Sequence, residues 1–228
     1  MSERAGTSIN PPASAPEGKP SGLYVERLAI DRGSRRIVSE LSFFLAAGEC
    51  LLLTGYNGAG KTTLLKAIAG LLPTASGSIR LDAGDGDLPL TERAHYVGHA
   101  NGLRSSLTVE ENATFWARYL GTGQHNVTAA LEQFGIASLA SVPTAYLSAG
   151  QKRRLGLTRL LLAQRPLWLL DEPTTSLDVR SAAALASLID AHVAAGGLAI
   201  IATHVPLGVK HTGELTLTAP PLPAAELT

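Results

Sequence analysis

The chain has 228 residues, of which 45% are hydrophobic, and its 19 basic and 19 acidic residues give a formal net charge of zero at pH 7. This balance provides no bulk positive field, so we expect no nucleic-acid partner. Every apolar run of about 18 residues is interrupted by charges or helix breakers, so we expect no membrane span. A single cysteine, Cys50, excludes an internal disulfide, and its apolar surroundings predict a core residue.

The predicted domain lies between two segments of low complexity. We expect residues 1–22, rich in Pro, Ser and Ala, to form a disordered tail, and the proline-rich residues 219–228 to form a flexible one. Residues 23–218 are then expected to fold as a single domain.

The domain begins with strands. LYVERLAI and the segment around LSFFLAA alternate apolar and polar residues, which predicts two antiparallel strands. CLLLT, residues 50–54, is apolar throughout, as expected of a strand covered on both faces. A glycine loop follows, and then KTTLLKAIAGLL has the spacing of a helix.

Two further predicted strands, SIRL and AHYVG, lead to a segment with helical character. This segment, from about residue 100 to about residue 158, is expected to form a helical insert. The first predicted helix begins after Thr108, which has capping-box spacing to Glu111, and the second runs from Asn126 to Phe134. The third begins after Ser148, which has the same spacing to Gln151.

After the insert, two apolar strands, LWLL and LAIIAT, flank the amphipathic helix DVRSAAALASLIDAHVAA. Apolar strands that alternate with helices are typical of a parallel sheet. The sequence therefore predicts an α/β fold with a small antiparallel β region and a helical insert.

The loop GYNGAGKTT matches G-x-x-x-x-G-K-[ST] and lies between a predicted strand and a predicted helix, the context this motif requires. Glycines allow successive N–H groups to converge on phosphate oxygens, and the helix N-terminus adds partial positive charge. Lys61 supplies a charge for the β- and γ-phosphates, and the Thr62 hydroxyl is a candidate Mg²⁺ ligand. The predicted nucleotide-binding residues here are Gly55, Tyr56, Asn57, Gly58, Ala59, Gly60, Lys61, Thr62 and Thr63.

Two adjacent carboxylates, Asp171 and Glu172, follow the apolar strand LWLL. An acidic pair at a strand end is usually a surface feature, but a phosphate loop in the same chain favours a functional role. Open α/β sheets bind ligands at the carboxyl ends of their strands. We therefore predict that Asp171 holds Mg²⁺ and that Glu172 is the general base for an attacking water.

A further segment, LSAGQKRR at residues 147–154, gives the combination its specificity. Together with GYNGAGKTT, LWLLDEP, TSLD at residues 175–178 and TH at residues 203–204, in this order, the chain resembles the ATP-binding subunits of ABC transporters over nearly all of the predicted domain. The resemblance implies the fold of the ABC class of P-loop ATPases and hydrolysis of ATP with Mg²⁺.

Ser148 and the first turn of the helix that begins there offer unpaired N–H donors and a hydroxyl to an anion. In the family this anion is the γ-phosphate held by a second subunit, so the resemblance implies a homodimer that sandwiches each ATP between two chains. Ala149 occupies a position where the family more usually has glycine, and its small side chain still lets the helix approach a phosphate. The implied contacts are Ser148, Ala149, Gly150 and Gln151.

Two other residues take roles from the resemblance. His204, which follows LAIIAT, resembles the switch histidine that contacts the γ-phosphate. Asp178 in TSLD would help to link the two sites across the dimer, and it is equally compatible with service as the N-cap of the next helix.

The histidines of HYVGHANGL, His95 and His99, are compatible on spacing alone with a metal site, the edge of a haem pocket or a nucleotide contact. ABC subunits usually carry glutamine at the end of the strand before the insert, and counting back from LTVEEN places His99 there. The resemblance therefore favours nucleotide sensing by His99, whose neutral imidazole offers one donor and one acceptor. His95, within the strand, is expected to be structural.

The adenine platform also differs from the family pattern. ABC subunits commonly stack adenine on an aromatic residue between the first two strands, but here Arg32 of IDRGSRR takes that position. A guanidinium can stack on a base, with about 0.5–2 kcal/mol on the cation–π scale. Tyr24 is the alternative platform, although strand packing is its expected role.

Within the ABC subunits, the chain resembles those of the cytochrome c maturation complex, long called a haem exporter. The residues that carry this resemblance are His99 in YVGHANGL, LTVEENATFWARYLG, LSAGQKRR and PLWLLDEPTTSLD. It implies a peripheral protein on the cytoplasmic face of a bacterial inner membrane, bound to two kinds of integral membrane subunit. ATP hydrolysis would drive haem export or release of the haem-loaded periplasmic chaperone.

The insert would receive a coupling helix of the membrane subunit, and the aromatic residues Phe115, Trp116 and Tyr119 are compatible both with such a groove and with packing inside the insert. Three other functions remain as alternatives. One is an ATPase subunit that exports a lipid or drug, and another is an ABC ATPase that does not transport. The third is a metal- or haem-binding protein that uses His95, His99 and His204.

Overall fold

The computed structural model describes residues 20–83, 86–123 and 126–218, and the segments interpreted as tails lie mostly outside them. The first strand begins at Gly22, one residue before the predicted domain boundary. The strands are β1 (Gly22–Arg32), β2 (Arg35–Ala46), β3 (Cys50–Thr54), β4 (Ser76–Asp82), β5 (Ala94–Val97), β6 (Leu167–Asp171), β7 (Leu198–Ala202) and β8 (Gly213–Thr216). The helices are α1 (Lys61–Ile68), α2 (Leu90–Arg93), α3 (Val109–Tyr119), α4 (Val127–Gln133), α5 (Ala149–Leu157), α6 (Arg159–Leu162) and α7 (Val179–Ala194).

A three-stranded antiparallel sheet has the order β2-β1-β4. The alternation read from the sequence is that of a sheet with one buried face, and Leu23, Val25 and Leu28 are buried in β1. Register shifts interrupt the pairing of β1 with both neighbours, and Arg27 and Glu40 have positive φ angles near them. These irregularities let the sheet curve over the main core.

The larger sheet has the order β5-β6-β7-β3-β8, and all of its pairings are parallel. Every residue of β6 and β7 is buried, as the continuous apolar runs of these strands predict. The register aligns Leu53 with Ala202 and Ala202 with Asp171. The carboxyl ends of β3, β7 and β6 therefore lie in one row, and the segments after them leave the same edge of the sheet.

The helical insert is fixed by the capping boxes that the sequence predicts. The Thr108 hydroxyl accepts from the backbone N–H of Glu111, and the Thr108 backbone N–H donates to the Glu111 carboxylate. The same reciprocal bonds join Ser148 and Gln151. α4 occupies the centre of the predicted span from Asn126 to Phe134. The sequence analysis did not predict α2, which is a single turn, the short helix α6 or the short strand β8.

The core of the larger sheet contains the single cysteine. Cys50 is fully buried, as predicted, and this burial raises the pKa of its thiol to about 12. A neutral, enclosed thiol packs as a small apolar group and is not available as a nucleophile.

No helix in the described part of the chain is both long and apolar enough to cross a membrane.

His95 lies in β5 with 2% of its surface exposed, which confirms its structural role. Its Nε2 lies 2.8 Å from the carbonyl oxygen of Ala163, which accepts the hydrogen bond of the neutral ring. Burial is the main cause that lowers the pKa of His95 from 6.5 to about 3. The folded protein therefore keeps this ring neutral at mildly acidic pH.

Because the folded-state pKa of His95 lies below the unfolded value, its contribution to stability is complete above pH 6.5 and falls as the pH drops towards 3. Between pH 7 and pH 5 this single proton lowers the free energy of unfolding by about 2 kcal/mol. We predict that His95→Gln makes urea-unfolding free energies less dependent on pH by about this amount. His211→Gln, at an exposed histidine, is the control, and equal pH dependence in wild type and His95→Gln would contradict the account.

Candidate functional site

The phosphate loop lies between β3 and α1, in the context that its motif requires. Gly58 and Gly60 have φ angles of 88° and 101°, in the left-handed region that favours glycine. A Cβ at Gly60 would lie 2.5 Å from Cγ2 of Ile37, so no larger residue fits. Lys61 is largely buried, and its Nζ donates to the carbonyl oxygens of Gly55 at 2.6 Å and Tyr56 at 3.2 Å.

The two predicted metal ligands are in direct contact. The Thr62 hydroxyl, at the start of α1, donates to Oδ2 of Asp171, at the end of β6, over 2.7 Å. Asp171 is only 5% exposed, and the phenol of Tyr96 donates to the same oxygen at 3.3 Å. Burial, followed by the nearby Asp171 carboxylate, raises the pKa of Tyr96, so the phenol remains a donor. A hydroxyl and a carboxylate are the hard oxygen donors that Mg²⁺ prefers.

Glu172 follows directly and has a φ angle of 47°, an uncommon conformation for a residue other than glycine. Such backbone strain costs about 1–3 kcal/mol and is concentrated at functional sites. The Glu172 N–H donates to the carbonyl oxygen of Ala202 at 2.8 Å, which fixes the strand end. Its carboxylate Oε1 accepts from Nδ1 of His204 at 2.8 Å, so the residues predicted as base and switch histidine are paired.

Six of the nine predicted loop residues, together with Asp171 and Glu172, line one cavity of about 380 Å³, within the usual range for ligand sites. Gly55, Tyr56 and Ala59 are not among its lining residues. Arg32 lies at this cavity, as the resemblance implies for an adenine platform. Tyr24 instead packs against Phe44 and under the Arg80 guanidinium, in agreement with its expected structural role. The cavity is lined by Arg32, Ile37, Asn57, Gly58, Gly60, Lys61, Thr62, Thr63, Asp171 and Glu172.

The residues of LSAGQ lie elsewhere. Ser148 caps α5, and Gly150 packs so closely that a Cβ there would lie 2.8 Å from the carbonyl oxygen of Ser176. Ala149 and His99 line a separate cavity of about 200 Å³, together with Asn101, Lys152, Arg153, Thr175 and Ser176. Within one chain, therefore, the structure does not bring His99 or the signature residues to the cavity that contains Lys61 and Asp171.

Asp178 occupies the N-cap of α7, where its Oδ1 accepts from the backbone N–H of Ser181 at 2.7 Å. Hydrogen bonds from Ser181 lower the pKa of this exposed carboxylate. The capping role left open by the sequence is thus present, and a link across a dimer stays a prediction. Among residues 20–83, 86–123 and 126–218, no group of three or more His, Cys, Asp and Glu side chains is placed to hold a metal ion.

Two residues near the site were not identified from the sequence. Tyr96 lies in a strand where only its aromatic character is visible, and its contact with Asp171 depends on how β5 pairs with β6. Arg153 lies inside the LSAGQKRR segment, but its sequence neighbours do not reveal that it is buried, at 3% exposure. The sequence signal available for Arg153 was its position as a basic residue inside the LSAGQKRR motif.

Comparison with known proteins agrees with the geometry. The family model described as ABC transporter matches residues 38–175. The chain is 53% identical over 178 residues to the cytochrome c biogenesis ATP-binding export protein CcmA of Rhodopseudomonas palustris strain BisB5, covering 78% of this chain and 89% of that protein. It is 46% identical over 198 residues to the protein of the same name from Chelativorans sp. strain BNC1, covering 86% and 98%.

Solved structures show the same architecture. An ATP-binding subunit of an ABC transporter superposes with a TM-score of 0.73 at 26% identity, over 81% of this chain and 80% of the other. A putative ABC transporter ATP-binding protein from Pyrococcus furiosus, at 23% identity and a TM-score of 0.73, shares the fold over 86% of this chain and 98% of its own. The chain therefore belongs to the ABC transporter ATP-binding proteins, which hydrolyse ATP, and among them to the family of the cytochrome c biogenesis ATP-binding export proteins.

Proposed function

We propose that this ATPase serves a membrane transporter complex for cytochrome c biogenesis and couples ATP hydrolysis to haem export or to release of a haem-loaded periplasmic chaperone. The relatives named for cytochrome c biogenesis support this role, because several share 44–53% identity with the chain over most of its length. The observation that carries the chemistry is the shared cavity of Lys61, Thr62, Asp171 and Glu172.

The loop fits a nucleotide triphosphate with Mg²⁺. A Cβ at Gly55 or Gly60 would collide with Leu217 or Ile37, so glycine is needed for the loop to follow this path. Lys61 lies at the cavity with its amino group on the loop carbonyls. Thr62 and Asp171 are the residues that would hold Mg²⁺, by the same oxygens that now share a hydrogen bond. When bound, the metal supplies charge neutralisation at the β- and γ-phosphate oxygens.

Glu172 is placed to act as the general base. Its side chain is 23% exposed, so water reaches it, and one of its oxygens is already held by His204. The histidine orients the carboxylate and leaves Oε2 to accept a proton from water. A positioned base contributes about 10²- to 10⁴-fold to a reaction rate.

A homodimer completes the proposed site. The first turn of α5 follows its N-cap Ser148 and lies away from the cavity of its own chain. The N–H of Gln151 already donates to the Ser148 hydroxyl, so the N–H groups of Ala149 and Gly150 are the proposed donors to a phosphate on a second chain. Ser148, Ala149, Gly150 and Gln151 would then contact the γ-phosphate in the partner. His99 shares a cavity with Ala149, and this placement supports the proposal that it senses nucleotide through the α5 region.

Membrane subunits of the cytochrome c maturation complex are the proposed further partners, at the cytoplasmic face of a bacterial inner membrane. On α3 the rings of Phe115 and Tyr119 are stacked, and their residues are 42% and 71% exposed. Trp116 instead packs inward and donates from Nε1 to the carbonyl oxygen of Gly102 at 3.0 Å. The exposed pair of rings supports a groove for a coupling helix.

Glu172→Gln tests the catalytic assignment. The amide keeps the shape of the side chain but cannot accept a proton from water, so we predict a fall in kcat of at least about 100-fold. ATP binding should persist, because the phosphate contacts lie on the loop. Glu132→Gln, at an exposed carboxylate on α4, is the matched control and should keep wild-type turnover. Full turnover by Glu172→Gln would refute the assignment.

Co-purification tests the biological role. Tagged Glu172→Gln protein, expressed in its native host and extracted from membranes with ATP and Mg²⁺, should remain assembled because turnover is blocked. We predict that mass spectrometry finds cytochrome c maturation membrane subunits and the haem chaperone in this sample. Recovery of a lipid or drug permease instead would retain the ATPase mechanism and overturn the haem assignment.

A further inference from the structure

The guanidinium of Arg153 is saturated with hydrogen bonds. It has five N–H groups, and each has a partner in the structure. Nε donates to the carbonyl oxygen of Pro173 at 2.9 Å, and Nη1 donates to the carbonyl oxygen of Gly98 at 2.7 Å and to Oδ1 of Asn101 at 3.2 Å. Nη2 donates to the carbonyl oxygens of Glu172 at 2.8 Å and Asp171 at 3.4 Å.

These acceptors belong to two segments that carry chemistry. Asp171, Glu172 and Pro173 form the end of β6 with the proposed base, and Gly98 and Asn101 enclose His99 in the loop after β5. The residue that joins them is on neither segment but on α5, the helix that begins at Ser148. Arg153 is thus the common contact of the signature helix, the base and the His99 loop.

The strained backbone of Glu172 explains how one side chain reaches three successive carbonyls. In an extended strand, neighbouring carbonyls point to opposite sides and cannot face one group. The positive φ angle at Glu172 breaks this alternation, and the carbonyls of residues 171 to 173 all accept from Arg153. The guanidinium therefore stabilises the same conformation that directs the Glu172 carboxylate to His204.

Arg153 has no ion-pair partner within 4 Å among the described residues, and burial lowers the pKa of its guanidinium while Asp171 raises it. Burial of an unpaired charge costs free energy, and apolar residues would pack a helix against a strand without this cost. What arginine adds is a rigid fork of five directed donors. The hydrogen bonds of its neighbour Arg154 to other described residues go instead to the insert, to the carbonyl oxygens of Phe134 and Gly135.

We propose that Arg153 is a positioning residue that couples the signature helix to the catalytic base. It occupies the fifth position of α5, about 6 Å along the axis from the helix start, so displacement of that start moves the guanidinium as one body with it. Through its bonds, this displacement reaches the backbone of Glu172 and the loop of His99 together. The inference rests on the proposed function in taking Glu172 as the base, and its directional consequence rests on the proposed homodimer.

In a dimer, this contact has a directional consequence. The signature helix of one chain would face the ATP of the partner, whereas Glu172 acts on the ATP of its own chain. Arg153 would then align the base at one site in response to nucleotide at the other. No other described side chain hydrogen-bonds both to Glu172 and to the loop of His99.

The test compares Arg153→Met with Arg154→Met in the full chain isolated with its membrane partners. We expect Arg153→Met to lower kcat, expressed per bound ATP, by at least about tenfold, with KM and Kd for ATP changed by less than about twofold. Arg154→Met should stay within about twofold of wild type. Arg153→Lys, which keeps the charge but loses the fork, provides a variant with less disruption and should also lower kcat.

A second comparison separates positioning from a loss of folded protein. Residues that act through the same group are not additive, so Arg153→Met should change the residual activity of Glu172→Gln by less than about twofold. Additive losses, a fall in ATP binding that matches the fall in kcat, or wild-type kcat in both Arg153 variants would overturn the proposal. If Glu172→Gln alone keeps full activity, the base assignment fails instead, and this outcome is distinguishable.

Discussion

The hydrogen bond from Thr62 to Asp171 joins the two halves of the site, and the parallel register of the sheet makes it possible. Leu53, Ala202 and Asp171 are aligned across β3, β7 and β6, so the phosphate loop, the segment of His204 and the acidic pair all leave one sheet edge. A slip of one residue in β6 would turn its side chains to the opposite face and separate this pair. The continuous burial of β6 and β7 stabilises that register, and the chemistry depends on it.

Strain and burial are concentrated at this edge. Glu172 has a left-handed backbone, Asp171 is almost fully enclosed, and Arg153 is buried with its charge. Each feature alone is destabilising, but together they compensate, because the guanidinium and the N–H bond to Ala202 satisfy the strained strand end. The energy of the apolar core therefore holds the proposed base in a geometry that an isolated strand end would not adopt. Removal of the Arg153 guanidinium is therefore expected to relax the backbone of Glu172.

Much of the site was predictable because its residues are close together in the sequence. The phosphate loop, the apolar strand before Asp171 and the capping boxes at Thr108 and Ser148 each contain their own physical signal, and the structure confirms these local features. Contacts between distant segments left no such signal. The strand β8 is four residues long and forms by pairing with β3, and the five bonds of Arg153 depend on the orientation of α5 against β6. Similarly, the spacing of two histidines could not show that His95 is enclosed while His99 faces α5.

The central claim is that one cavity, formed at this sheet edge and completed by a second chain, binds the triphosphate and Mg²⁺. The most direct measurement is an experimental structure of the Glu172→Gln protein, assembled with its membrane partners, in the presence of ATP and Mg²⁺. The account predicts phosphates on the loop beside Lys61, metal held by Thr62 and Asp171, and Ser148 of the second chain at the γ-phosphate. A nucleotide bound elsewhere, or bound by one chain with the signature helix remote from every phosphate, would contradict it.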